Sequence, residues 1–190
     1  MDINQLIASR LRDLRNKRAW SLDVLADRSG VSRSTISVIE RGESSPTAII
    51  LDKLASALDV PLASLFERPP SEASPSPISR ADQQAVWKDP ASGYVRRHLS
   101  AAFPCPTQLI EIHFPPGQSV AYEATMQNPD VIQQVWMIRG TMDVRVGDTT
   151  WQLAKGDCLT MPLDVPTAFH NPGAAAAHYL VAITTPPKGL

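Results

Sequence analysis

Residues 22–41 read LDVLADRSGVSRSTISVIER. The stretch asks for two short helices crossing at a tight turn. Leu22, Leu25 and Ala26, then Val31, Ile36 and Ile39, recur at three- and four-residue steps, the period of one buried helix face. Ser21 stands where the first helix needs an oxygen to accept from its early N–H groups, and Ser32 stands at the same point of the second. Gly30 falls between them, where a positive φ is cheap for glycine. Ala26 is small where the two helices must approach.

The outward face of the second helix then carries Arg33, Ser34, Ser37 and Arg41. That arrangement suits a helix entering the major groove of DNA with its N-terminal side chains at base edges. Arginine can donate twice to guanine, and serine is a permissive partner. Ser21, Ser32, Arg41, Ser44 and Ser45 suit phosphate contacts. The flanking sequence repeats the helical period: Ile3, Ile7, Leu11 and Leu14 before it, then Leu51, Leu54, Ala55 and Leu58, then Leu62, Leu65 and Phe66. About five short helices in a compact bundle are expected. Arg10, Arg12, Arg15, Lys17 and Arg18 on the first helix fit either a solvated face or phosphate contacts.

Ser29-Gly-Val-Ser32 and Ser37-Val-Ile-Glu-Arg-Gly42 carry a resemblance to the Xre family of phage-repressor-type helix-turn-helix proteins. The likeness spans about residues 3–67 and implies sequence-specific binding of a double-stranded DNA operator. The first domain is therefore expected over residues 1–67.

Residues 68–82 form a linker rich in proline and serine, RPPSEASPSPISR for most of its length. From Trp87 onward the period changes to two, with turn signals such as Pro116-Gly117, Arg139-Gly140, Lys155-Gly156 and Pro172-Gly173. Residues 83–190 are expected to form a β-barrel or sandwich, so the fold class is α + β in separate domains. Residues 114–171 resemble the cupin domain, a double-stranded β-barrel: Pro116-Gly117, Gly140, Gly156-Asp157, Pro162 and Asn171 keep its frame. With the stretch Trp87-Lys-Asp-Pro-Ala-Ser-Gly-Tyr94-Val-Arg-Arg97, which resembles the start of the barrel in Xre–cupin regulators, the likeness covers nearly the whole chain.

The metal ligands of that family are not in place. Glu123 and Thr125 fall in the two first histidine slots, Gln133 in the glutamate slot and Thr167 in the last histidine slot, within PLDVPTAFHNPG at residues 162–173. One carboxylate with hydroxyls and an amide is not a transition-metal set. His113 and His170 are expected to face elsewhere. No metal or other cofactor is expected, and no catalytic set of Ser-His-acid, activated cysteine or metal cluster is evident. What remains is a barrel mouth lined by Tyr122, Glu123, Thr125, Gln133 and Thr167, with Val135, Met137 and Phe169 as inward neighbours, able to take a small polar ligand. Two rivals stay open: a barrel that serves to dimerise the chain, and an enzyme with a DNA-binding appendage. A ligand-responsive repressor, working as a homodimer with Trp136 or Ile138 at the contact, is the expected function. The ligand signal is expected to pass through the proline-rich linker.

Bulk composition agrees. The chain has 190 residues, 43% of them hydrophobic and 19% charged, with a net charge of −1, so any basic footprint is local. The two cysteines, Cys105 and Cys158, lie far apart and fit buried or free thiols in a reducing cytosol. With no run of about 18 apolar residues and no apolar leader, a cytoplasmic protein without membrane contact is expected.

Overall fold

The computed structural model describes residues 2–67, 76–101, 103, 105–123 and 130–185. Four α-helices open the chain: α1 (Ile3–Lys17), α2 (Leu22–Ser29), α3 (Arg33–Glu40) and α4 (Ala48–Ala57). The expected fifth helix is a 3-10 turn, Leu62–Phe66. Its segment starts at Pro61 and runs only five residues, too short to settle into an α-helix. Ile7, Leu11, Leu25, Ile36, Leu51 and Leu54 meet at the centre of the bundle, each at most 2% exposed.

Ten strands follow: β1 (Val86–Lys88), β2 (Val95–His98), β3 (Thr107–Phe114), β4 (Ser119–Tyr122), β5 (Ile132–Arg139), β6 (Met142–Val146), β7 (Thr149–Leu153), β8 (Cys158–Pro162), β9 (Thr167–His170) and β10 (Ala177–Thr184). They form a six-stranded sheet in the order β1-β2-β3-β10-β5-β8 and a four-stranded sheet in the order β4-β9-β6-β7. The long strand β10 pairs antiparallel with both β3 and β5 and alternates buried and half-buried residues, which puts its odd-numbered residues Tyr179, Val181 and Ile183 inside. This is the double-sheet barrel of a cupin. Asn171 has a scaffold role there: its buried amide donates to the carbonyls of Phe114 (3.0 Å) and Ala175 (2.9 Å) and its oxygen accepts from the Gly173 N–H.

The two halves share one continuous apolar core. Phe66, at the end of the 3-10 turn, packs on Trp87 of β1 with ring centroids 5.6 Å apart, and Trp87 meets Tyr94 edge-on at 5.7 Å. Asp89 is 1% exposed and acts across the junction. One of its oxygens accepts from the Ala48 N–H at the start of α4 (2.9 Å), and the other from the N–H and hydroxyl of Ser92. The loop that follows β1 thus caps a helix of the other half, adding to the cap from Thr47. Contact between the halves is direct, beside the linker expected over residues 68–82, of which residues 68–75 lie outside the described residues. Cys105 and Cys158 are exposed free thiols, 53 positions apart in the chain. No helix among the described residues is long and apolar enough to cross a membrane.

Candidate functional site: an exposed helix and a cavity in the barrel

Both serine caps form as expected. Ser21 Oγ accepts from the Val24 N–H (3.2 Å) and Ser32 Oγ from the Thr35 N–H (3.1 Å). Gly30 closes α2 in the left-handed conformation at φ 65°, and its N–H reaches the Ala26 carbonyl. Gly42, at φ 72°, lies against the Gln5 side chain, where a Cβ would collide at 2.3 Å. The interior face of α3 is Ile36 and Ile39, which leaves Ser32, Arg33 and Ser34 exposed at its start and Ser37 half-buried further on. Arg33 touches Asp23 of α2 at 3.1 Å, with both side chains mostly in water, an ion pair weak enough to yield to a base. Arg41 is held differently. It donates to both oxygens of Glu43 at 2.8 Å and to Ser37 Oγ at 2.6 Å. Glu43, which the sequence did not point to, therefore sets the aim of Arg41. Ser44 is half-buried in the loop beyond.

The arginines of α1 mostly staple the bundle. Arg10 donates to Glu67 (2.6 Å) and to the Ser64 carbonyl (2.9 Å), Arg12 to the Glu40 carbonyl, Arg15 to both oxygens of Glu40, and Arg18 to the Leu14 and Leu58 carbonyls. Lys17 remains exposed.

The barrel mouth holds a small cavity. Tyr122, Gln133, Thr167 and Phe169 line it. Gln133 and Thr167 are buried, at 8% and 5% exposure. Val135 is fully buried but packs behind this surface. Glu123 is exposed at the rim, and Thr125 lies outside the described residues. The cavity holds more than the sequence had indicated. Tyr94 and Arg96 join it from β2 and the turn before it, and Asp52 and Leu62 close it from the helical half. The Tyr94 and Tyr122 hydroxyls lie 3.0 Å apart, and burial raises the pKa of both phenols, so they stay protonated. The residues at the metal slots do not fit a metal: Gln133 and Thr167 are neutral, leaving one carboxylate at the rim.

Asp52 is 4% exposed on α4. Burial first, then the Glu123 carboxylate, pushes its pKa from 3.8 up to about 7, against a hydrogen bond from the Glu123 backbone that pulls it down. Below 3.8 the folded and unfolded chains both carry the proton. Between there and about 7 the folded chain holds it more tightly, so this group's contribution to stability falls as pH rises through that window. Asp52→Asn should therefore stabilise the protein by roughly 2–4 kcal/mol near pH 8, with the gain vanishing near pH 4. Urea melts of both proteins at the two pH values check this. His98, pushed down to about 4 by burial and by Arg96, has the opposite trend, but it is common to both proteins. A gain that did not change with pH would put the Asp52 carboxyl in water.

A second cluster lies outside the cavity. Glu111, His113 and His178 meet on the outer face of the six-stranded sheet, with His178 Nε2 at 2.9 Å from Glu111 Oε1 and the two imidazoles stacked at 4.3 Å. Arg97 also reaches Glu111 at 3.4 Å. Register explains it: His113 pairs with His178, and Glu111 lies two residues along β3 on the same face. Sequence alone could not find this set, because it depends on which strands are neighbours. His170 likewise faces out, 3.4 Å from Asp143.

A helix-turn-helix bundle docked on a double-sheet barrel defines a DNA reader with an attached barrel module. The helix-turn-helix family model HTH_3 matches residues 11–65. The HTH-type transcriptional regulator SutR of Escherichia coli K12 is 34% identical over 181 residues, covering 94% of each chain. SinR, an HTH-type transcriptional regulator of Bacillus subtilis strain 168, is 33% identical over 63 residues, 33% of this chain and 57% of SinR. The crystal structure of an HTH_3 family transcriptional regulator from Vibrio cholerae shares the fold, with a TM-score of 0.73 over 97% of this chain and 98% of that one, at 23% identity. The chain belongs to the Xre-type helix-turn-helix transcriptional regulators, and it is a DNA-binding transcriptional regulator.

Proposed function

We propose that the protein is a repressor whose operator affinity is set by a small molecule in the barrel cavity. One observation carries this reading: α4 of the DNA-binding half supplies Asp52 to the cavity wall. A ligand that touches Asp52 bears on α4, and α4 packs on α2, which packs on α3. Such a ligand favours one docking of the helices over another and so changes DNA affinity. The barrel acts as sensor rather than catalyst. Its lining among the described residues offers hydroxyls, an amide, a guanidinium and a carboxyl, with no histidine or cysteine. The working unit is a homodimer in the cytoplasm reading two half-sites. The exposed Trp136 on β5 and Leu109 on β3, at 48% and 42% exposure on the outer face of the six-stranded sheet, support a contact there. On α3, Arg33, Ser34 and Ser37 face the groove, while Ser21, Ser32, Arg41, Ser44 and Ser45 face phosphate.

The test is in-vitro selection of an operator, followed by anisotropy titrations. Arg33→Ala should cost about 1–3 kcal/mol on the selected site and relax one base position. Arg41→Ala should weaken all sequences alike and flatten the salt dependence. Specific binding untouched by both substitutions would remove α3 from the groove. Wild-type affinity should also shift when a fractionated metabolite extract is added, and no response to any fraction would leave the barrel as a dimerisation module.

A further inference from the structure

Arg96 points from β2 into the barrel and is 7% exposed. Its Nε and Nη2 are buried and find no hydrogen-bond acceptor among the described residues. No carboxylate among those residues pairs with it either. The Phe66 ring covers its guanidinium, with Cζ 5.3 Å from the ring centroid, but an aromatic face supplies no acceptor for the edge. A guanidinium does not lose its proton in a protein. Nε and Nη2 form one edge of the fork, the edge that takes two carboxylate oxygens at once; Arg15 uses the same two atoms on Glu40. Arg96 is among the side chains that line the cavity.

Another wall of the same cavity carries a carboxyl, and an ammonium beside it would favour its ionised form. Asp52 is buried there, and Glu123 lies close enough to act on its carboxyl. Arg96 and Asp52 share the cavity without meeting as an ion pair, so each end lacks a counter-charge that a dipolar guest would bring. Tyr94, Tyr122, Ile112, Phe169 and Val181 line the same cavity.

We propose that the cavity binds a small zwitterion of the amino-acid type, its carboxylate on the vacant edge of Arg96, its ammonium on Asp52 and Glu123, and its body against Phe169 and Val181. This rests on the sensor reading above and adds the ligand class to it. The ammonium end is the end that touches α4, so the amine carries the signal to the helices while the carboxylate carries most of the anchoring.

The experiment is calorimetry on the full chain. The probes are the standard amino acids, each set against the primary amine that lacks its carboxylate and the acid that lacks its amine. At least one amino acid should bind, and both of its analogues should bind more weakly by about tenfold or more. Arg96→Gln should weaken the amino acid and the desamino acid alike. Asp52→Asn should weaken the amino acid and leave the desamino acid unchanged. Thermal melts confirm that both variants fold, and the analogue series on the wild type needs no variant at all. Binding by no amino acid, analogues that bind as well as the parent, or an Arg96→Gln protein with full affinity would each overturn the proposal. If a metabolite extract still shifts operator affinity when no amino acid binds, the ligand class falls and the sensor stands. If neither acts, both fall.

Discussion

Glu40→Ala should lower the stability of the helical half by about 3–5 kcal/mol, a large fraction of what such a unit has. Glu40 is 5% exposed at the C-terminal end of α3. Its oxygens accept from Arg15 Nε at 2.7 Å and Nη2 at 2.8 Å, a bidentate pair. The Arg15 side chain is itself only 13% exposed and also donates to the Trp20 carbonyl. Hydrogen bonding to Glu40 holds its pKa above the usual arginine value. Removing the carboxylate leaves a buried cation whose desolvation is no longer offset, and it releases α1 from α3. Substituting both ends by apolar residues of similar size should cost far less, because no charge is then left alone. Urea denaturation of Glu40→Ala and of Arg15→Met/Glu40→Leu gives the comparison. Equal losses in the two proteins would mean that packing, not the uncompensated charge, is what the pair contributes.

Trp87→Ala should cost about 3–5 kcal/mol and loosen the junction between helices and barrel. Trp87 is 1% exposed and touches Phe66 from the helical half and Tyr94 from the barrel. Truncation empties the centre of the shared core. The cavity left would border the segment between Asp89, which caps α4, and Arg96, which lines the barrel cavity. Trp87→Phe should cost much less, under about 1.5 kcal/mol. The indole Nε1 is buried with no acceptor among the described residues, so phenylalanine discards an unmet donor along with some volume. Thermal melts should show the order wild type, Trp87→Phe, Trp87→Ala. In Trp87→Ala, two separate transitions are expected in place of one. A single transition with an unchanged midpoint would mean that the halves hold together without this residue.

Local rules were enough for some features. Serine caps, Gly30 at the crossing and a three-to-four-residue apolar step depend on neighbours in the chain, and α2 and α3 formed where those signals lay. The period-two texture after Trp87 and the corner residues marked the barrel for the same reason. The fifth helix is a 3-10 turn because its apolar pattern is too short to carry helical hydrogen bonding. The α1 arginines show a limit of local reading. Arg10, Arg12, Arg15 and Arg18 look like a basic surface in one dimension, yet their partners sit 57, 28, 25 and 40 positions away.

Sequence by itself determined the helix-turn-helix and the change from a helical to a strand period after it, since each follows from residue type and spacing along one segment. Tertiary structure decided what the cavity is made of. Tyr122, Gln133, Thr167 and Phe169 were legible from their slots in the barrel. Asp52 and Arg96 were not, because one belongs to a helix pattern and the other to a short strand, between Val95 and Arg97, and neither spacing refers to the other. Their meeting depends on α4 docking over the mouth of the barrel, held by Asp89 at one end and by Phe66 against Trp87 nearby. Charges buried on separate elements acquire a joint meaning once packing excludes water from the space between them.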